Sequence, residues 1–207
     1  MLMPKRGLYA ITPEGKTSNE ILKFTEAVLK GGACVVQYRE KGLNDATDLA
    51  CKLLELCHVY NVPLIINDNV KLAEKIEADG VHLGVDDGSI SAARQCLGES
   101  AIIGVSCYNS LERAMEAEKK GANYVAFGRF FTSNSKPLAA PAEIGTLTAA
   151  KRVLALPIVA IGGILPENGA SLLNAGADLL AVIGGLMTDD SKTAARDYCG
   201  LFSQGSH

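Results

Sequence analysis

The sequence predicts a single (β/α)8 barrel, assigned to residues 1–207 as one domain. Three observations predict it. Eight short apolar runs recur along the chain, each continuous rather than alternating, as in strands of a parallel sheet covered on both faces. Most of these runs end in glycine or polar residues. The segments GGACVV, EADGVHL, GANYVAF and GADLLAV set a helix-ending turn directly before a strand start, the connection of a repeating βα chain. Eight such units in 207 residues leave little room for a second domain. An open doubly wound sheet is the alternative. It asks for fewer strands or a glycine-rich first turn, and Thr12–Lys16 (TPEGK) is not one.

Gly7–Thr12 (GLYAIT) is the first strand. Ser18 is placed to cap a helix whose apolar positions Ile21, Phe24, Val28 and Leu29 keep helical spacing and which Gly31–Gly32 ends. Cys34–Tyr38 is the second strand, running into Arg39, Glu40 and Lys41, and Asn44 is a candidate start for the next helix. Pro63–Ile66 is the third strand, ending in Asn67–Asp68. A short helix then passes through Leu72 and Ile76 to stop near Gly80. Gly80–Leu83 (GVHL) is the fourth, followed by Gly84, Val85, Asp86 and Asp87. Ala101–Val105 is the fifth, ending in Ser106, with a helix from Ser110 to Lys120 behind it. The sixth starts at Tyr124 and breaks at Gly128 into a polar loop. Pro157–Ile161 ends in Gly162–Gly163, and Leu179–Ile183 ends in Gly184–Gly185.

Composition narrows the function. Apolar residues make up 48%, enough for a large core, but aromatics are only 5% and there is no Trp, so packing rests on Ala, Val, Ile and Leu. The net charge is −3 and no basic run exceeds two residues, which argues against a nucleic-acid surface. Cys34, Cys51, Cys57, Cys96, Cys107 and Cys199 form no CxxC pair and several lie in apolar runs. They read as buried, reduced thiols of a cytoplasmic protein rather than as a disulfide framework or zinc site. MLMPKRGLYAIT lacks the apolar core of a signal peptide, and no stretch reaches membrane-spanning length, so no membrane partner is expected.

In barrels, chemistry sits at the C-terminal ends of the strands. Here those ends carry Gln37, Arg39 and Lys41, then Asn67 and Asp68, then Asp87, Ser106, Ser133, Ser135 and Lys136, and finally Gly163 and Gly184. Asp68 and Asp87 follow neighbouring strands. Two carboxylates without His or Cys partners suit a hard cation such as Mg²⁺, with waters and substrate phosphates completing its shell. Read structurally, each Asp instead caps the helix after it. Thr132, Ser133, Ser135 and Lys136 form a loop suited to an anion, or else a solvated surface loop. The paired glycines after strands seven and eight stand where barrels hold a phosphate on backbone N–H groups. No nucleophile pair is evident: no histidine is placed to activate Cys107, and His82 is expected to face the core or a helix. Metal-assisted departure of a phosphate or pyrophosphate fits better than covalent chemistry.

GLYAIT at 7–12, VVQYREK at 35–41, LIINDN at 64–69, ADGVHLGVDD at 78–87, IIGVSC at 102–107, YVAFGRFFTSNSK at 124–136, PIVAIGGILPEN at 157–168 and AGADLLAVIGGL at 175–186 resemble the thiamine-phosphate synthase family, collinearly over nearly the whole chain. The resemblance implies a (β/α)8 barrel and a Mg²⁺-dependent transferase. Its substrates would be 4-amino-2-methyl-5-hydroxymethylpyrimidine diphosphate and 4-methyl-5-(hydroxyethyl)thiazole phosphate or its carboxylated form. Its products would be thiamine phosphate and pyrophosphate. Under it, Gln37, Arg39 and Lys41 hold the pyrimidine and its diphosphate, Asn67 contacts the diphosphate, and Asp68 and Asp87 bind Mg²⁺. Ser106 lies near the pyrimidine amino group and Lys136 grips the leaving pyrophosphate. Lys136, Ser106 and Arg39 are the catalytic candidates. Ser133 and Ser135 stand on the thiazole side, and Gly163 with Ile183–Gly184 forms the thiazole-phosphate site. Departures from the family pattern are Gly184 for a frequent serine, Val85-Asp86 for Gln-Glu, Arg129 for proline and Ser133 for threonine.

Two other readings remain open on the sequence. A thiazole tautomerase-like isomerase would have little use for the carboxylate pair and would ask for a histidine base, which position 106 and its neighbours do not offer. A catalytically silent barrel binding thiazole or thiamine phosphates would be free to lose the Asp pair, which is intact. A homo-oligomer is left open.

Overall fold

The computed structural model describes residues 1–39, 47–132 and 141–203. Eight parallel strands close on themselves. They are β1 (Gly7–Ile11), β2 (Val35–Tyr38), β3 (Leu64–Asn67), β4 (Gly80–Leu83), β5 (Ile102–Tyr108), β6 (Tyr124–Gly128), β7 (Ile158–Ile161) and β8 (Leu179–Val182), paired in chain order with β8 against β1. The helices that follow them are α1 (Ser18–Lys30), α2 (Thr47–Val59), α3 (Val70–Lys75), α4 (Ile90–Leu97), α5 (Leu111–Lys119), α6 (Ile144–Val153), α7 (Pro166–Asn174) and α8 (Ser191–Ser203), with a 3₁₀ turn at Gly184–Leu186 before the last. The predicted (β/α)8 barrel is the observed fold.

Local chemistry sets the ends of these elements. Thr17, not Ser18, caps α1. The Thr17 backbone N–H donates to the Glu20 carboxylate at 2.8 Å, and the Glu20 N–H donates back to Thr17 Oγ1 at 3.3 Å. Such a box needs an acidic residue three positions after the cap, which only Thr17 has. The candidate helix start at Asn44 lies outside the described residues. β5 runs three residues past Val105, so Ser106 sits in the strand rather than behind it. The helices α4, α6, α7 and α8, not located by spacing, supply the remaining cover.

Strand alternation sorts side chains into two cores. Tyr9, Ile11, Val35, Ile65, Ile102, Tyr124, Val159 and Leu179 pack inside the barrel. Their neighbours Leu8, Ala10, Val36, Ile66, Val81, Ile103, Val125 and Leu180 pack outward against the helices. Small residues make space for the inner tyrosines. A Cβ on Gly104 would lie 1.9 Å from Tyr124 Cζ, so only glycine fits opposite that ring. The repeated turn before a strand, EAD at 77–79, GAN at 121–123 and GAD at 176–178, also has a use at the opposite end of the barrel. Carboxyl or amide oxygens of Asp79, Asn123 and Asp178 accept the backbone N–H of Leu64, Ile103 and Ile158, at 2.9, 2.8 and 2.9 Å. Each ties the start of one strand to its neighbour.

Of the six cysteines, Cys57 and Cys107 are buried, Cys34, Cys51 and Cys199 partly so, and Cys96 is exposed, which corrects the expectation that all are interior. Burial pushes the Cys57 and Cys107 thiols up to about 12. No helix among the described residues is long and apolar enough to cross a membrane.

Candidate active site

The C-terminal ends of the strands surround a cavity of about 440 Å³, within the range of small-molecule sites. Gln37, Arg39, Asn67, Asp68, Asp87, Ser106, Gly163, Ile183 and Gly184 all line it. Lys41, Ser133, Ser135 and Lys136 lie outside the described residues. Thr132, the last described residue of the loop after β6, reaches the same cavity.

The two carboxylates are released from helix capping. Asn69 caps α3, its Oδ1 accepting from Leu72 N–H at 2.9 Å, and Ser89 caps α4, its Oγ accepting from Ala92 N–H at 3.1 Å. Asp68 adopts φ 60°, a left-handed conformation uncommon outside glycine but tolerated by Asp. Its Oδ2 accepts from Asn67 Nδ2 at 2.6 Å. Asp87 Oδ2 accepts the Gly84 N–H at 2.7 Å, closing the turn after β4 and fixing that carboxylate at the rim. The donors are carboxylate and amide oxygens on adjacent strands, a hard set that fits Mg²⁺ better than zinc. Among the described residues no group of three or more His, Cys, Asp or Glu forms a closed site, so such an ion would take water or ligand oxygens as well.

On the β1–β2 side, Arg39 is nearly buried and its Nη1 pairs with Glu14 at 2.7 Å. Its backbone N–H donates to Thr12 Oγ1 at 3.0 Å, so the guanidinium leaves a braced strand end. The glycines divide by role. A Cβ on Gly162 would come within 2.3 Å of Arg129 Cβ, and one on Gly163 within 2.4 Å of the Thr132 carbonyl. Their glycine requirement therefore comes from close packing under the β6 loop as much as from any ligand. Gly184 has open space where a side chain would go, whereas a Cβ on Gly185 would strike the Tyr198 hydroxyl at 1.9 Å.

Three residues of the cavity were missed by sequence reasoning. Of the two places expected for His82, the core is the one observed: it points into the barrel, with Nε2 2.8 Å from Ser106 Oγ and Nδ1 2.9 Å from the Tyr124 hydroxyl. The expectation of no histidine beside position 106 is thereby corrected. Tyr9 and Tyr124 line the floor, and burial raises both phenols far above their ordinary range. Alternation was the available signal, since His82 lies between the outward Val81 and Leu83.

A (β/α)8 barrel whose mouth gathers a carboxylate pair, a braced arginine and glycine-rich final strand ends belongs to the class of barrels built to handle phosphorylated small molecules. The chain belongs to the thiamine monophosphate synthase family, whose model matches residues 8–186. It is 51% identical over 205 residues to a thiamine-phosphate synthase of Methylobacillus flagellatus, covering 98% of each chain. It is 49% identical over 202 residues to that of Methylococcus capsulatus, covering 96% of this chain and 90% of the relative. A solved thiamine phosphate pyrophosphorylase from Pyrococcus furiosus superimposes with a TM-score of 0.86 at 32% identity, over 97% of this chain and 96% of that one.

Proposed function

We propose that the chain joins 4-amino-2-methyl-5-hydroxymethylpyrimidine diphosphate to 4-methyl-5-(hydroxyethyl)thiazole phosphate, giving thiamine phosphate and pyrophosphate. The enzyme is a transferase of the thiamine-phosphate synthase type. The observation that carries this reading is end-to-end identity near 50% with synthases of that name. The retained carboxylate pair at one cavity supports it.

In this reading the bond between the pyrimidine methylene carbon and the diphosphate oxygen breaks, and its electron pair leaves with pyrophosphate. The thiazole nitrogen's lone pair then forms the new carbon–nitrogen bond at the pyrimidine methyl cation. Asp68 and Asp87 would hold Mg²⁺, which would supply positive charge to offset that of the phosphate oxygens. Arg39, braced by Glu14, faces charge building on the diphosphate, and Asn67 offers an amide to it. Lys41 and Lys136 are assigned to the same anion, Lys136 at the leaving pyrophosphate. Gln37 and Ser106 hold the pyrimidine edge. Ser133, Ser135, Gly163, Ile183 and Gly184 hold the thiazole phosphate. The open space at Gly184 leaves room for the serine that relatives often carry there. His82 beside Ser106 removes one sequence argument against an isomerase, but the carboxylate pair has little use in that reaction.

The test mixes purified protein with both substrates and Mg²⁺ and follows thiamine phosphate and pyrophosphate together. Equal amounts of both are expected, lost with EDTA. Absence of product with either substrate still bound would overturn the proposal. Lys136→Ala is expected to lower turnover more than thiazole phosphate binding; the opposite pattern would move Lys136 to the other subsite.

A further inference from the structure

Polar side chains from five strands join across the barrel floor into one hydrogen-bonded chain. Gln37 Nε2 donates to the Tyr9 hydroxyl at 2.9 Å, and the Tyr9 and Tyr124 hydroxyls pair at 2.8 Å. The Tyr124 hydroxyl meets His82 Nδ1 at 2.9 Å, and His82 Nε2 meets Ser106 Oγ at 2.8 Å. Gln37, Tyr9, Tyr124 and His82 are each at most 9% exposed. The His82 ring also stacks on Tyr124, with centroids 5.6 Å apart.

Counting protons gives the chain a direction. A phenol has one proton and can also accept. The Tyr9 oxygen accepts from Gln37, so its own proton is available to Tyr124. Were Tyr124 to donate to Tyr9 instead, the Tyr9 proton would be stranded in a buried position, which is the costlier arrangement. Tyr124 then gives its proton to His82 Nδ1. That nitrogen carries no hydrogen, and the ring proton sits on Nε2, where it is donated to Ser106 Oγ.

We propose that His82 is a positioning residue, held as its Nε2–H tautomer by the Gln37–Tyr9–Tyr124 chain, and that it thereby sets the hydrogen-bonding polarity of Ser106. With one lone pair taken by His82, Ser106 offers the cavity both its proton and its second lone pair. In the reverse direction it would spend its proton on His82 and offer lone pairs only. A ring edge carrying an exocyclic amine beside an unprotonated ring nitrogen presents one donor and one acceptor, and only the first arrangement answers both. This last step rests on the proposed function; the tautomer does not. Arg113 Nε donates to the Ser106 carbonyl at 2.8 Å and steadies the backbone from which Oγ reaches.

The experiment is nitrogen NMR of the full chain labelled at histidine, at neutral pH and without substrates, with the His82 signals identified by their loss in His82→Gln. A hydrogen on Nε2 and none on Nδ1 is expected. A hydrogen on Nδ1 overturns the proposal. Tyr124→Phe removes the donor to Nδ1. Its folded form is expected to keep hydrogen on Nε2, to shift the Nδ1 nitrogen signal away from its hydrogen-bonded position, and to lose roughly tenfold in kcat/KM, the size of one buried hydrogen bond. An unchanged Nδ1 signal in that variant also overturns the proposal. If Tyr124→Phe fails to fold, Tyr9→Phe leaves the Tyr124 proton with Nδ1 as its partner, so hydrogen on Nε2 is expected there too and hydrogen on Nδ1 overturns the proposal. Because the tautomer is read in the free protein, its failure leaves the assigned activity standing. Conversely, a failed coupling assay leaves the tautomer standing.

Discussion

Asp68 and Asp87 line the cavity and do not cap helices, because Asn69 and Ser89 cap α3 and α4. From sequence each Asp could have been a cap, since Asp is as good a cap as Asn or Ser. What separates the two readings is one or two residues of helix phase. Asp68 also occupies a left-handed conformation, so the informative replacement is Asn, which tolerates it. Asp68→Asn or Asp87→Asn is expected to raise the Mg²⁺ concentration needed for turnover by about 10–100-fold or more, with the thermal midpoint little changed. A Mg²⁺ titration of initial rates checks this. Full activity at low Mg²⁺ in both variants would sink the metal assignment.

At the scale of the element, α1 shows how a local rule places a boundary. The Thr17–Glu20 box starts it, and burial of Ile21, Phe24, Val28 and Leu29 holds it on the barrel. The Thr17 hydroxyl and backbone N–H both donate to the Glu20 carboxylate and hold its carboxyl below the ordinary value. A depressed folded-state value stabilises above the ordinary carboxyl range and loses its effect as pH falls through the lowered value. Thr17→Ala is expected to lower Tm by about 2–4 °C at pH 7. The gap to the parent should narrow in acid below the carboxyl range, as thermal melts across pH would show. A gap that does not shrink would remove the box from the account. The helices α4, α6, α7 and α8 were harder to locate because they are short or rich in small residues, and their apolar stripe is narrow. Their positions follow from the strands they must cover.

For the molecule as a whole, the two ends of the barrel divide their work. The end opposite the cavity carries Asp79, Asn123 and Asp178, which stitch strand starts together, and Asp178 also pairs with Lys151. Asp178→Ala strands the Ile158 N–H and is expected to cost about 1–3 kcal/mol of stability with kcat and KM unchanged. Urea unfolding beside steady-state rates tests this, and a large fall in kcat would show that the two ends are coupled. The sequence by itself determined the eight strands, the barrel and most of the polar strand ends, because continuous apolar runs and their glycine or polar stops are local signals. It did not reveal that Tyr9 and Tyr124, 115 residues apart, share a hydrogen bond, or that His82 turns inward to Ser106. Those contacts exist only after the sheet closes β8 onto β1 and alternation sends every second side chain to a common axis. Convergence of that kind is a property of the closed barrel, and no run of neighbouring residues encodes it.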